Sequence, residues 1–306
     1  MSAQPAVRPF RRADRDQLTT LINAHVAAVV PGLSVSVNTV LSSLERQPDE
    51  FVTDPWVAER VTLVAEQRGH LVAAAHLLRY RDDASVGSEY RDAAEIGWFL
   101  HRPPSSLWPG AEKATDLLMA GCLTQLTRWR PRARYADGAL PAPAIYGLPR
   151  PWPHIREAYL RAGFRHTGGT EVVLIARADE LPRPRARQDL AFERTLGESG
   201  TRFTAYADDG DAVGFIEVDT ALGRPERIGQ SPGLADIANL HVAATERGPD
   251  LAHQLLAEAA DWLRLCGADR VLAYEDAGDA AAIGLLRSAG FRELTRTDRG
   301  WRLTPG

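Results

Sequence analysis

At 306 residues the chain has room for two domains of about 150 residues each, and with 44% apolar and 25% charged side chains either half can bury its own core. A net charge of −4, with acids interleaved among the arginines, gives no case for a basic nucleic-acid surface, and no apolar run approaches the roughly 18 residues of a membrane span. Two cysteines, both in predicted helices and expected to be buried free thiols, exclude a disulfide framework and a cysteine-based metal site; no metal is expected. The N-terminal MSAQPAVRPFRRADRDQ lacks the apolar core of a signal peptide, so a cytoplasmic location is expected.

The chain opens with a short strand in AVRPF, followed by a helix through LTTLINAHVAAVV with Asp14 as its expected N-cap, and a second helix in VNTVLSSLERQ. Residues 61–80 alternate apolar and polar side chains around Arg68-Gly69 and read as a hairpin. The segment AAEIGWFLH (93–101) is a strand with an early acid, Glu95. YRDDASVGSEYRD before it reads as a solvated loop. A long helix starts near Ala111, with Leu117, Leu118, Cys122 and Leu126 on its buried face. A Pro- and Trp-containing loop over 139–153 leads into a helix from about His154 to Ala162, and TEVVLIARA closes the first half as a strand. The polar, proline-punctuated LPRPRARQ (181–188) is the linker, which divides the chain into residues 1–180 and 189–306. The second half reads strand, hairpin around Asp209-Gly210, strand LADIANLHV, helix to a Gly267 C-cap, strand DRVLAYED, helix, and a last strand in WRLTP.

The two halves repeat one order. The hairpin glycines Gly69 and Gly210 and the strand acids Glu95 and Asp236 are both 141 residues apart. AYLRAGF, ending at Phe164, matches LLRSAGF, ending at Phe291. Such self-similarity is the mark of a duplicated unit. Each unit is α/β (α+β), with a mixed, mostly antiparallel sheet flanked by helices. The two helices that open the first half have no counterpart in the second.

The strand-to-helix step is the candidate site, because a helix N-terminus offers unpaired N–H groups and partial positive charge to a phosphate. With this step, HVAATERGPDLAHQLL, and the two Gly-Phe endings, the chain resembles the GCN5-related N-acetyltransferase superfamily, as a tandem member. That family grips the pyrophosphate of acetyl-CoA with a Q/R-x-x-G-x-G/A turn before a helix. The resemblance implies cofactor contacts from Arg247, Gly248, Leu251 and Ala252, with Leu240, His241 and Val242 on the preceding strand, and from Gly110 and Ala114 in the first half. Asp250 and Glu112 replace the main glycine of the turn. The resemblance also implies a general base at Glu95, with Asp236 as its shorter counterpart. The general acid implied by the resemblance is Tyr159, whose place in the second half is taken by Leu286. The oxyanion donor falls near Trp98–Leu100 or Asn239–His241.

The implied function is N-acyltransfer from acyl-CoA, acetyl-CoA in particular, to the primary amine of a small molecule, by direct attack in a ternary complex. No nucleic-acid or membrane partner is implied, and an oligomer is not required. The acceptor pocket is expected in the first half, shaped by its opening helices and the 139–153 loop, in which Trp152 is placed to line it. His101 and His241 lack metal-ligand spacing. Two other functions fit the same residues. One is a degenerate transferase kept as a ligand-binding or scaffolding module, since neither turn has its glycine. The other is an aminoacyl-tRNA-dependent transferase, which needs a basic groove.

Overall fold

The computed structural model describes residues 4–45, 54–103, 111–184, 189–220, 233–243 and 250–304. In chain order these form β1 (Ala6–Pro9), α1 (Arg15–Val29), α2 (Val37–Glu45), β2 (Val57–Gln67), β3 (His70–Tyr80), β4 (Ala93–His101), α3 (Ala111–Trp129), β5 (Ala133–Ala136), β6 (Leu148–Pro149), α4 (Pro153–Arg161) and β7 (Phe164–His166). Beyond them come β8 (Thr170–Arg177), β9 (Leu190–Leu196), β10 (Thr201–Ala207), β11 (Ala212–Asp219), β12 (Leu234–Val242), α5 (Asp250–Leu265), β13 (Arg270–Asp276), α6 (Ala280–Ser288), β14 (Arg292–Asp298) and β15 (Trp301–Leu303). The fold is α/β, with two mostly antiparallel sheets and, among the described residues, six α-helices.

The chain forms two compact units. Unit 1 holds the described residues up to Thr170 and again from Thr297 onward; unit 2 holds those between Glu171 and Arg296. This is not the division at 181–188 read from the sequence. β8, read as the closing strand of the first half, is paired with β13 from Glu171↔Asp276 to Arg177↔Arg270. The unit 1 sheet, β1-β2-β3-β4-β5-β15-β7, is completed instead from the end of the chain. There Trp301 pairs with Ala136 on one side and His166 on the other. The unit 2 sheet runs β14-β8-β13-β12-β11-β10-β9. Each unit therefore takes one interior strand from the other half of the sequence. The physical reason this was hidden is that Val172–Ala176 is buried on both faces. An uninterrupted apolar run says that a strand is interior, not which sheet it joins.

Local chemistry explains most elements. Arg68 (φ 53°) and Gly69 (φ 79°) both adopt left-handed backbone, the geometry of a two-residue hairpin turn. Gly163 (φ 92°) and Gly290 (φ 105°) end α4 and α6 as left-handed stops, where glycine carries no Cβ penalty. Three expectations need correction. Asp14 stands at the N-cap of α1 as expected, but its side chain makes no capping bond to the helix. Its carboxylate accepts the Arg11 N–H at 2.7 Å and both Arg8 amino groups at 2.7 and 2.9 Å, tying β1 to the helix entry. Leu117 is exposed, because Leu118, Cys122 and Leu126 already fill the inward stripe of α3. Cys122 is buried as expected, but Cys266 is exposed, one residue beyond the end of α5.

Candidate functional site

The same local irregularity occurs in both units. In unit 1 the β3–β4 register slips between His76/Leu77, so that Gly97 is left over between Ile96 and Trp98. In unit 2 the β11–β12 register slips between Glu217/Val218, leaving Ala238 over between Ile237 and Asn239. Gly97 and Ala238 are again 141 residues apart. A bulge of this kind bends its strand and re-aims the side chains beyond it. The parallel neighbour is lost at the same place. β4 pairs with β5 only as far as Ile96↔Ala136, and β12 with β13 only as far as Asp236↔Leu272. Past those points each bulged strand keeps a single sheet neighbour among the described residues, and its other edge carries main-chain N–H and C=O groups that need partners.

The two gaps differ in what occupies them. In unit 1, Trp98, Phe99, Leu100 and His101 are all buried. Tyr159 of α4 packs beside Phe99 with ring centroids 6.2 Å apart, and His154 meets His101 edge-on at 4.7 Å. In unit 2 the matching stretch is open. Ala238, Asn239 and His241 are exposed, and Leu240 and Val242 are half-buried. The unit 1 gap is filled by side chains, while among the described residues no strand pairs with the edge of the unit 2 gap.

Within unit 2 the open stretch is held rigidly from behind. Glu217 of β11 is fully buried and accepts from Asn239 Nδ2 at 2.9 Å, Arg202 Nε at 2.7 Å and the Glu198 N–H at 3.1 Å. Burial works against its charge, yet the bonds from Asn239, Arg202 and Glu198 outweigh it and hold the carboxyl below its ordinary range. Asn239 is thereby pinned one residue past the bulge. His241 lies beside Phe215, with ring centroids 5.6 Å apart. Leu240 and Val242 pack against the unit 2 core. Leu251 and Ala252 are buried in the first turn of α5, and a Cβ added at Gly214 would sit 3.4 Å from Leu251. What Leu251 and Ala252 can offer a phosphate is therefore main-chain N–H, not side chain. Arg247 and Gly248 lie outside the described residues, as does Gly110. Leu286 is a core residue and brings no proton donor.

The two acid–base candidates sit in unit 1. Glu95 is buried and accepts the Tyr80 hydroxyl at 2.5 Å; burial raises its pKa, against the opposing pull of Tyr80 and Arg299. Tyr159 is fully buried and donates its hydroxyl to the Asp137 carbonyl at 2.6 Å. Burial, then the Asp137 charge, raises its pKa well above the ordinary phenol value, which makes it a poorer proton donor than a free phenol. Ala114 is buried in α3. Trp152 does not line a pocket: it is buried, and its indole N–H bonds the His25 carbonyl at 3.1 Å.

Sequence reasoning missed Asp137, Tyr80, His76 and Arg299, which line one cavity with Glu95. Asp137 comes directly after a four-residue strand too short to register as a pattern, and Arg299 comes from the far end of the chain. Among the described residues there is no group of three or more side chains suited to a metal ion, and no helix long and apolar enough to cross a membrane.

The model of the acetyltransferase (GNAT) family matches residues 152–291, from the start of α4 to just past α6. Among solved structures, the fold is similar to a tandem GNAT protein from the clavulanic acid biosynthesis pathway (TM-score 0.64, 15% identity, 99% of this chain and 100% of that one). It is also similar to a GCN5-related N-acetyltransferase from Sphaerobacter thermophilus (TM-score 0.63, 16% identity, 99% and 96%). A third is a glucosamine N-acetyltransferase region in a fungal multi-domain β-N-acetylglucosaminidase (TM-score 0.64, 14% identity, 98% of this chain but 38% of that one). At these identities the structures speak for the fold alone. No curated protein sequence matches the chain. Residues 152–291, which span the bulged strand β12 and its succeeding helix, thus match the acetyltransferase (GNAT) family, and the fold, with the same architecture built twice, is that of a tandem GNAT protein.

Proposed function

We propose that the protein transfers an acyl group, acetyl by preference, from acyl-CoA to the primary amine of a small molecule, and that the thioester lies along β12 in unit 2. The observation that carries this reading is the edge of β12 beyond Asp236, which no other described residue pairs with, against the filled gap at the same place in unit 1. An extended amide-bearing arm can pair with such an edge as an added strand does. The N–H groups of the Asn239–His241 stretch then face the thioester carbonyl, where a donor stabilises the oxyanion of the tetrahedral intermediate. The first turn of α5, with Arg247 before it, receives the pyrophosphate.

In the reaction, the neutral amine nitrogen attacks the thioester carbon, the C–S bond breaks, the CoA thiolate leaves, and the nitrogen loses a proton. Asp236 is the candidate acceptor of that proton. It is the last residue of β12 paired with β13 and stands two residues before the bulge. Leu286 supplies no acid, but a thiol of pKa about 8.5 leaves tolerably as the thiolate near neutral pH. Glu95 and Tyr159 serve this reaction only if acyl-CoA enters unit 1.

Arg247→Ala tests the placement. Losing one charge-assisted contact to a phosphate is worth about 1.5–3 kcal/mol, so calorimetric titration with CoA is expected to show a Kd weakened about tenfold or more. An unchanged Kd would remove unit 2 as the site of the pyrophosphate.

A further inference from the structure

We propose that unit 1 holds a small organic ammonium ion, without acylating it, in the cavity bounded by Tyr80, Tyr90, Glu95, Trp98, Asp137 and Arg299. This cavity is small, with a volume of about 70 Å³. It adjoins a wider cleft of about 360 Å³ that shares Tyr90, Glu95, Asp137 and Arg299 and adds Tyr135, and the body of the ligand extends into it. The two carboxyl groups are brought together by the end of the parallel pair. Glu95 stands opposite Tyr135, and the Asp137 N–H bonds the Ile96 carbonyl at 2.8 Å. Glu95 accepts the Tyr80 hydroxyl, and Asp137 Oδ1 accepts the Gly138 N–H at 2.7 Å. A carboxylate has about four acceptor positions, so both keep capacity for a ligand.

An independent feature points the same way. His76 lines the same cavity and is buried, and its Nε2 has no hydrogen-bond partner among the described residues. Its Nδ1 is taken by Thr62 Oγ1 at 2.8 Å, and its ring stacks on Trp98 at 5.8 Å. Burial depresses its pKa to about 3, so the ring is neutral, and when Nδ1 carries the proton Nε2 is an acceptor. An orphaned buried nitrogen of this kind calls for a partner. Two carboxyl groups and one imidazole nitrogen match the three N–H groups of an alkylammonium ion. The Tyr80, Tyr90 and Trp98 rings supply faces of the kind that attract a cation.

Asp137 is pushed up to about 8 by burial first and the Glu95 charge second, with Arg299 pulling the other way. Arg299 thus offsets the burial and mutual repulsion of the pair only in part. The ligand leaves unit 1 unchanged because the gap beside it, where a thioester arm would have to lie, is filled by Phe99, Tyr159 and His101.

The test is calorimetric titration of the full chain with n-butylammonium chloride at about pH 8, where an alkylammonium is still charged, with no acyl-CoA present. The outcome is thus independent of the unit 2 reading. Saturable one-site binding is expected, with Glu95→Gln weakening it at least about tenfold. Arg299 is exposed, so Arg299→Gln leaves the fold intact and is expected to tighten binding several-fold by removing a like charge. Absence of saturable heat, or an affinity unmoved by Arg299→Gln, overturns the proposal.

Discussion

Replacing Trp301 by alanine is expected to cost about 3–5 kcal/mol, and to take that stability from the first half of the sequence rather than from the second. Trp301 is one of the largest fully buried side chains. Its ring lies 6.0 Å from Tyr159 and 5.4 Å from His166, centroid to centroid, with the Arg156 guanidinium 5.3 Å above it. Its indole N–H bonds the Asp298 carbonyl at 3.3 Å. Its backbone joins β5 to β7, so the loss falls on unit 1. Asp298, which accepts from Thr170 Oγ1 at 2.7 Å and pairs with Arg156, anchors the same returning segment. Amide hydrogen exchange reads the difference: protection falls in β4 and β5 and holds in β10 to β12. Loss confined to residues 201–219 would mean that the last strand belongs to unit 2 after all.

The second large effect is a loss of stability in acid that is traceable to His25. This side chain is buried on α1, its Nδ1 hydrogen-bonded to the Leu21 carbonyl at 2.9 Å and its Nε2 3.3 Å from His154 Nε2. Burial first, and then the neighbouring His101 and Arg102 charges, lower its pKa from 6.5 to about 4. His154 is lowered to about 3 by burial and by both of its histidine neighbours. A group with a depressed folded-state pKa favours the folded state fully above its unfolded value. That contribution is lost as pH falls toward the folded value, because the unfolded chain binds the proton first. For His25 the window runs from about 6.5 down to about 4, and the contribution is about 3 kcal/mol. Asp137, raised from 3.8 to about 8, works in the opposite sense over the whole of that range. The readout is therefore the difference between the wild type and His25→Asn, whose amide can replace the Nδ1 bond. Denaturant melts across that window are expected to show the variant losing about 3 kcal/mol less than the wild type on acidification. Parallel pH profiles for the two proteins would contradict this account of the cluster.

Much of the fold was legible because its signals are local. Apolar alternation set the hairpins, the glycines at 69, 163, 267 and 290 marked turns and helix ends, and the 141-residue offset reappears in the bulges at Gly97 and Ala238. What was not legible depends on pairing at a distance. TEVVLIARA and the strand at Trp301 read correctly as strands, but nothing in an apolar run names its sheet, so their exchange between the units was invisible. ARYA at 133–136 is too short to stand out, and with it went Asp137 and the end of the parallel pair. Glu95 was singled out from its place on the strand. Its partner Tyr80 is fifteen residues away on the neighbouring strand, and their meeting depends on a register that the bulge resets. The difference between the two gaps was also hidden, since it rests on how α4 packs: Tyr159 reads equally well as a proton donor and as a filler of space.

Central to the proposed function is that only one of the two duplicated strand gaps accepts the thioester arm. Hydrogen exchange of the full chain with and without saturating acetyl-CoA tests it most directly. New protection is predicted at amides of residues 238–242 and none at 97–101. Protection at 97–101 with residues 238–242 unchanged would contradict it.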